Sequence, residues 1–595
     1  MEKNNNSIEA VRHSLAHLLA YSVKQLYPGG QNAIGPAIED GFYQDFEING
    51  VISEDDLPKI EEKMKQVLKT WKSFERKEVS LNEALEIFAN NIYKQELARE
   101  FAEGGKTLTV YTSGNFVDLC KGGHVEDIAT IDPNAFKLTK TAGAYWRGDE
   151  KNIMLTRIYG VAFKTEEELK HYFERLEEAK KRDHRVLGEK LKLFFIIPDV
   201  GAGLPLLMPR GEQIKKILMD YMREKEETSG YQYVSTPVLA QRKLYERSGH
   251  ADYYLENMYA TEEDEEGNQF FIKPMNCPHH HMIYEKMVES YRDLPLRLSE
   301  HAGLYRYELS GTLTGLIRMR GPITQNDSHT YVSAELLKKE FRDVLEMFRE
   351  VYAQTGIEGY WFRLSLPDFG KDKFASDSNK WEFAAKIIRE VLEESKLPYE
   401  EGVGEAAFYG PKLDVQIKNV LGKEDSIATV QIDVLVPERM GLTYIDTDGK
   451  EKHPFIIHKS IMGAFERFMA FLLEKTAGNL PIWLAPEQLR LIQVKDGDEL
   501  DGFVDKIALL AKENGLRAVV DRSNESVGKK IRAAEMMKVP YSVVIGEKEL
   551  ESGELSPRIR PDLIAEGRAE QAYPYENLVH AIVNEARGRV QKSSL

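Results

Sequence analysis

Two cysteines in 595 residues are too few for a disulfide framework, and their scarcity fits a reducing compartment. Long apolar runs are missing as well. None approaches the ~18 residues that a bilayer span requires, and the polar start MEKNNNSIEA has no signal-peptide core. Nor is there an excess of basic charge: 80 basic residues face 97 acidic ones, a net charge of -17. That balance argues against indiscriminate nucleic-acid binding, but not against an RNA gripped by local basic patches. No internal repeat is visible. What these absences leave is a cytoplasmic, globular chain, too long for one core and expected to form roughly three or four domains.

Because cysteine is so scarce, its neighbours are informative. Cys277 lies in KPMNCPHHH, ahead of LYRYELSGTLTGLIRMRGPITQNDSH, which ends at His329; His458 follows much later in FIIHKSIMGAFERF. Thiolate and neutral imidazole are the preferred protein ligands of zinc, and three protein ligands leave one position open, as working sites do. The same stretch holds Arg306 and Glu308 as Arg-x-Glu, then Arg318 and Arg320. Arginines stay charged and present forked donors suited to phosphate. A metal and an anionic substrate are therefore expected in one place.

The second cysteine, Cys120, precedes His124 by four residues in the Gly-rich DLCKGGHVED. Residues 8–27 read as an amphipathic helix with Ile8, Val11, Leu15, Leu18 and Leu26 apolar, on which His13 and His17 share a face roughly opposite Val11 and Leu15. This HxxxH and CxxxH spacing fits a metal site. It fits equally a pair of helix-surface histidines beside an unrelated buried cysteine. It is not HExxH, so a zinc-hydrolase reading lacks its general base.

Periodicity and punctuation divide the chain into residues 1–164, a linker helix over 165–190, a large domain over 191–483, and a last domain over 484–595. The linker belongs to one long, charged helical stretch, TEEELKHYFERLEEAKKRDHRVLGEKLKLF, read as a solvated connector. GEQIKKILMDYMREKEETSG predicts a helix, and YQYVSTPVL a strand stopped by Pro237. The last domain alternates LRLIQV, DGFVDKIALLAKENG, RAVVD, VGKKIRAAEMMK and YSVVIG, the pattern of a small α/β sandwich.

KPMNCPHH, YRYE, RMRG, QNDSH, GEAAFYGPK, TVQID, IIHKSIMGAFERF and VDRSNESVGKKIRAAE occur in this order, and together they closely resemble the threonyl-tRNA synthetases from about residue 8 to the C-terminus. The resemblance implies an α+β multidomain fold. Its catalytic core would be a class II synthetase antiparallel sheet, preceded by an α+β editing domain and followed by an α/β anticodon-binding domain. It implies a homodimer, with the helix and strand before Pro237 as its dimer-forming motif. Cys277, His329 and His458 would be zinc ligands, and Asp327 would meet the threonine hydroxyl. Tyr409, Lys412 and Gln431 would complete the amino-acid pocket. Arg306 would hold the α-phosphate of ATP, Glu308 the adenine amino group, and Arg318 and Arg467 the γ-phosphate, with Mg²⁺ accompanying the nucleotide.

An open zinc position could take both the amino group and the hydroxyl of threonine, so valine would be rejected by roughly 10⁴ or more, while serine, one methyl smaller, would leak through. A hydrolytic second site is therefore expected. His13, His17, Lys94, Asp118, Cys120 and His124 match the family's editing cluster, which implies a metal-free site acting on Ser-tRNA(Thr). Asn524, Glu549 and Arg558 would contact anticodon bases, whose exposed edges such side chains can read. A seryl- or prolyl-tRNA synthetase would share the arginines without needing the metal trio, and a catalytically dead RNA-binding paralogue would need neither. Three departures stand out. The editing helix begins by residue 8, leaving no room for the family's small ubiquitin-like first domain. The turn after Arg320 is one residue longer, placing Ile323 where an aromatic often packs near adenine. Ala464 stands where some relatives carry serine.

Overall fold

The computed structural model describes residues 7–370, 378–565 and 571–595, and the chain divides into two compact units, Met1–Glu177 and Glu178–Leu595. In the first, Ser7 caps helix α1 (Ile8–Leu26) by accepting from Ala10 N–H at 3.2 Å. This helix is enclosed on nearly every side, by α2 (Leu57–Leu68) and by a five-stranded antiparallel sheet built around β1 (Gly41–Glu47). Burial of Leu15, Leu18 and Leu19 contributes roughly 1.5–3 kcal/mol each. His17 goes inside with them. The histidines are therefore not surface residues of a one-faced helix, because the wall opposite the apolar stripe is also covered.

A second, three-stranded sheet of β2 (Glu75–Val79), β3 (Leu108–Ser113) and β4 (Phe116–Leu119), with α3 (Ile92–Glu103) nearby, supplies that wall. The long hairpin of β5 (Phe136–Tyr145) and β6 (Met154–Ala162) completes the larger sheet. The charged stretch that follows is two helices rather than one. α4 (Glu166–Arg182) stops at Asp183, whose carboxylate caps α5 (His184–Lys190) by accepting from Arg185 N–H at 2.8 Å.

In the second unit α5 is followed by α6 (Pro209–Thr228). The strand expected over YQYVSTPVL shrinks to the two residues of β7 (Gln232–Tyr233). Beyond it the amide of Thr236 is taken by the Glu300 carboxylate at 2.8 Å, and Pro237 has no N–H to offer. Helix α7 (Cys277–Met287) then precedes the main sheet strands β8 (Leu296–Leu304) and β9 (Ile323–Val332). After α8 (Ala334–Thr355) come β10 (Trp361–Leu366), α9 (Ser378–Ser395), β11 (Tyr399–Val403), β12 (Lys412–Lys418), β13 (Glu424–Asp433), β14 (Phe455–Ser460) and α10 (Phe465–Thr476). The eight strands run in the order β7-β8-β9-β14-β13-β12-β10-β11, antiparallel except at its two ends. Phe341, Leu345 and Phe348 of α8 and Phe468, Met469 and Leu472 of α10 pack the core beside it.

Register then does the placing. His329 pairs with His458, His458 with Gln431, and Gln431 with Lys412, so four forecast residues stand side by side across β9, β14, β13 and β12. The last domain follows its predicted alternation: β15 (Leu489–Gln493), α11 (Asp498–Glu513), β16 (Ala518–Asp521), α12 (Val527–Met536) and β17 (Tyr541–Ile545), with the short β18 (Arg558–Ile559) antiparallel on β17 and α13 (Tyr575–Arg587) behind.

Candidate active and editing sites

The sheet of the second unit floors a cavity of about 420 Å³. Cys277, in the first turn of α7, and His329 and His458, on neighbouring strands, offer one sulfur and two ring nitrogens within 4.8 Å of one another. All three are buried. The donor set suits zinc, and the surrounding hydrogen bonds orient it. The Glu300 carboxylate lies 3.3 Å from His280 Nε2, and His280 Nδ1 lies 2.8 Å from His329 Nδ1. Read with Glu300 as acceptor, His280 donates to it and accepts from His329, which turns the His329 Nε2 lone pair toward the trio. His458 Nε2 is 3.2 Å from Asp433, and Cys277 Sγ is 3.3 Å from the buried His250. Burial, with Asp327 and Asp433 nearby, pushes the Cys277 thiol well above its ordinary pKa; a bound cation would reverse that.

Asp327 lines the same cavity and takes 3.0 Å donation from Asn276 Nδ2. Tyr409 donates to Gln431 and stacks on His458 at 5.2 Å. Arg306 lines the cavity, its Nε donating to Pro274 O at 3.1 Å, and Glu308 does so while paired with Arg318 at 2.8 Å. Two forecast residues stand apart from that lining. Lys412 pairs with Asp414 at 2.8 Å. Arg467 sits over Phe471 at 5.5 Å, and its Nε is buried with no partner among the described residues. Burial lowers its pKa, and nearby Arg318 adds to this against Asp425. A buried cationic donor short of acceptors invites an anion.

Arg320 plays another part than its spacing suggests. It braces its own loop, donating to Glu308 O at 3.0 Å and Ser310 Oγ at 3.3 Å. Ile323 starts β9 and packs against the core.

The first unit holds a separate cavity of about 840 Å³ onto which His13, His17, Lys94, Asp118 and Cys120 open. Cys120 Sγ is 3.3 Å from both His13 Nε2 and His124 Nε2, and His13 Nε2 is 3.2 Å from His17 Nε2. Lys94 Nζ pairs with Asp118 at 2.6 Å, and Asp118 lies 3.3 Å from His17 Nδ1. His124 stacks behind on Phe74 at 4.1 Å. Burial raises the Cys120 thiol to about 11 and lowers His124 to about 3, with His13 adding to the latter. His17 is driven well below its usual value, first by burial and then by its histidine neighbours. Cys120, His124 and His17 are therefore held in their neutral forms at pH 7, next to the buried Lys94–Asp118 pair.

In the last domain Asn524 and Arg558 are exposed, while Glu549 gives Oε2 to Gly546 N–H at 2.9 Å in a helix cap. Sequence reasoning missed His250, the Glu300–His280 relay and Glu226. Glu226, on α6, is fully buried and bonded to Lys459 at 2.6 Å. A polar residue on an apolar helix face was the one available signal.

Comparison with known proteins follows these sites. Residues 259–476 match the tRNA synthetase class II core domain (G, H, P, S and T), residues 488–585 the anticodon binding domain, and residues 108–159 the threonyl and alanyl tRNA synthetase second additional domain. A threonine–tRNA ligase of Staphylococcus aureus (strain JH9) is 46% identical over 556 residues, 93% of this chain and 85% of that protein. A solved RNA binding domain of threonyl-tRNA synthetase from Cryptosporidium parvum Iowa II is 30% identical with a TM-score of 0.62, covering 69% of this chain and 99% of that one. Giardia lamblia prolyl-tRNA synthetase, at 16% identity, 70% and 81% coverage and a TM-score of 0.54, shares the fold alone.

Proposed function

The chain belongs to the threonine–tRNA ligases, and from that premise we propose how its residues divide the work. It is a class II synthetase that activates L-threonine with ATP, transfers it to tRNA(Thr), and carries an editing domain against Ser-tRNA(Thr). The seryl and prolyl readings fall away with the family.

In the synthetic site, the threonine carboxylate attacks the α-phosphorus of ATP and pyrophosphate leaves; a tRNA ribose hydroxyl then takes the acyl group and AMP leaves. Such displacement needs mainly positioning and neutralisation of charge. Arg306 holds the α-phosphate, and Arg318 with the acceptor-poor Arg467 holds the γ-phosphate, beside Mg²⁺. Glu308 takes the adenine amino group, so ATP binding opens the Glu308–Arg318 pair and replaces it with two new contacts. Zinc, when held by Cys277, His329 and His458, supplies an open Lewis-acid position for the amino group and hydroxyl of threonine. Asp327, fixed by Asn276, accepts that hydroxyl. Tyr409 and Gln431 close the pocket, and Lys412, next to Gln431 in register, lends positive charge behind it.

The observation that carries this reading is the convergence of one sulfur and two imidazoles within 4.8 Å beside Asp327. Amino-acid-dependent ATP–pyrophosphate exchange tests it. Strong exchange with threonine, weak with serine and none with valine is expected, with loss on chelation and one zinc per chain by elemental analysis. Exchange that survives complete zinc removal would sink the metal assignment.

In the editing site His13, His17, Lys94, Asp118, Cys120 and His124 position water on the seryl ester without a metal. Asn524, the second oxygen of Glu549 and Arg558 read anticodon bases. The domains are assigned as 1–164 editing, 165–190 linker, 191–483 catalytic and 484–595 anticodon-binding. We also assign a homodimer, because Phe195, Ile196, Ile197, Val200 and Leu206 each stay about 40% exposed within twelve residues. Ile196→Asp with Ile197→Asp should convert dimer to monomer in sedimentation; an unaltered dimer would place the interface elsewhere. Two free cysteines and the want of a membrane-length apolar helix among the described residues accord with a cytoplasmic protein.

A further inference from the structure

His184 belongs to none of the forecast sites, yet it is 1% exposed and hydrogen-bonded at both ring nitrogens. Nδ1 lies 2.7 Å from Glu474 Oε1, on α10, and the backbone N–H of His184 donates to the same oxygen at 3.2 Å. On its far side, Nε2 accepts the backbone N–H of Leu316 at 3.1 Å. An amide donor at Nε2 makes that nitrogen the acceptor, so the ring donates to Glu474 through Nδ1. Asp183, 3.9 Å from Nδ1, is turned to Arg185. The ring touches Gly315 so closely that a Cβ there would stand 2.2 Å from Nε2.

Leu316 is the tip of a tight turn in which Thr314 N–H donates to Arg318 O at 3.0 Å and Arg318 N–H to Thr314 O at 3.2 Å. That turn carries Arg318. Glu474 stands seven residues after Arg467 on α10, two helical turns and nearly the same face. The imidazole therefore joins the support of one arginine to the support of the other. We propose that His184 is a positioning residue of the nucleotide site, bolting the Thr314–Arg318 turn to α10 so that Arg318 and Arg467 close on one phosphate chain.

The proposal rests on reading those arginines as phosphate-binding. Its energetic logic is that Arg318 has a second tether, the ion pair with Glu308, which nucleotide binding opens. With that tether gone, the turn keeps its own pairing and the His184 bond. Loss of the bond thus weakens ATP binding more than it weakens the empty protein. It also leaves a buried amide without an acceptor.

His184→Asn keeps an N–H where Nδ1 donates but removes the acceptor, whereas His184→Gln places a carbonyl oxygen where Nε2 stood. In pyrophosphate exchange the Asn variant should raise the KM for ATP about tenfold, the loss of one hydrogen bond, with the KM for threonine unchanged. The Gln variant should recover most of that. Gly315→Ala, whose methyl meets the ring and drives the turn off it while leaving His184 itself in the sequence, should reproduce the Asn result and serves if His184→Asn does not fold. Arg318→Ala is run alongside. If it raises the ATP KM while neither His184→Asn nor Gly315→Ala does, the positioning role is wrong. If Asn and Gln lose kcat alike with the ATP KM unmoved, His184 is only structural. If Arg318→Ala leaves the ATP KM unchanged, the phosphate assignment fails and takes the proposal with it.

Discussion

Cys120→Ser should still hydrolyse Ser-tRNA(Thr) with an unaltered pH profile near neutrality, whereas Lys94→Met should abolish hydrolysis and let serine accumulate on tRNA(Thr). The contrast follows from where the charges are. With its thiol raised to about 11 by burial, Cys120 is thiolate in only about one molecule in 10⁴ at pH 7, a poor population for a nucleophile. It is better suited to line a pocket and hold His13 and His124 at 3.3 Å each, which a serine hydroxyl can also do. Lys94 is different. It is buried, and its ammonium is the direct counter-ion of Asp118 at 2.6 Å, with His17 3.3 Å beyond. Removing it strands a buried carboxylate, a defect of about 3–5 kcal/mol, and turns the residue that orients His17. A loss of roughly 10² to 10⁴ in deacylation is expected if the cluster moves a proton in the transition state. The synthetic site cannot compensate, because one methyl group is worth only about 10–200-fold in selection. Deacylation of preformed Ser-tRNA(Thr) across pH 6–9 reads both variants. A trapped seryl thioester on Cys120, or activity rising with thiol ionisation, would make the cysteine a nucleophile after all.

What the sequence could disclose depended on how rare the residue type was and how local its partners were. Cys277 and Cys120 marked their candidate sites because cysteine is scarce, and the order of motifs supplied His329, His458 and Gln431, which the sheet register sets shoulder to shoulder. The last domain was readable because each strand and helix there carries its own periodicity. By contrast, YQYVSTPVL looks like a strand by composition, but a carboxylate from residue 300 captures the amide of Thr236. That interaction has no local signature. The same holds for His184, whose partners lie 132 and 290 residues away. Three consecutive histidines, His279, His280 and His281, follow Pro278. All three are buried, but His280 also orients His329 and His281 bonds Tyr331 at 2.9 Å, which only the fold could assign.

Glu226→Ala should destabilise the second unit by about 3–5 kcal/mol and should lower threonine activation with it. The carboxylate is fully buried and receives Lys459 Nζ at 2.6 Å, the Tyr233 hydroxyl at 2.6 Å, Ser299 at 2.7 Å, and Asn326 and Ser328 at 3.0 Å. Those partners sit on β7, β8, β9 and β14, so one side chain from α6 ties four strands together beneath the site. Asn326 and Ser328 flank Asp327, and Lys459 follows His458; without the carboxylate both Asp327 and His458 lose their footing while Lys459 is left buried and uncompensated.

The pH dependence gives a sharper check. Burial alone would raise the pKa of Glu226, but Lys459 and the hydroxyl and amide donors overcome it and hold the group at about 2, below the ordinary 4.5. A depressed carboxylate stabilises the fold fully above its unfolded value and loses that contribution as pH falls toward its folded value. Here the window runs from about pH 4.5 down to about 2, and the contribution is about 3 kcal/mol. Urea unfolding of wild type and Glu226→Gln should therefore show a constant gap from pH 5 to 8 that narrows on acidification. A gap that stays the same down to pH 3 would mean that Glu226 is not held ionised by this network. Glu226→Met with Lys459→Met should be less damaging than the two single changes added together, since it removes the stranded charge along with its partner. If the double variant is simply additive, the four-strand tie is made by the hydroxyl and amide donors and not by the ion pair.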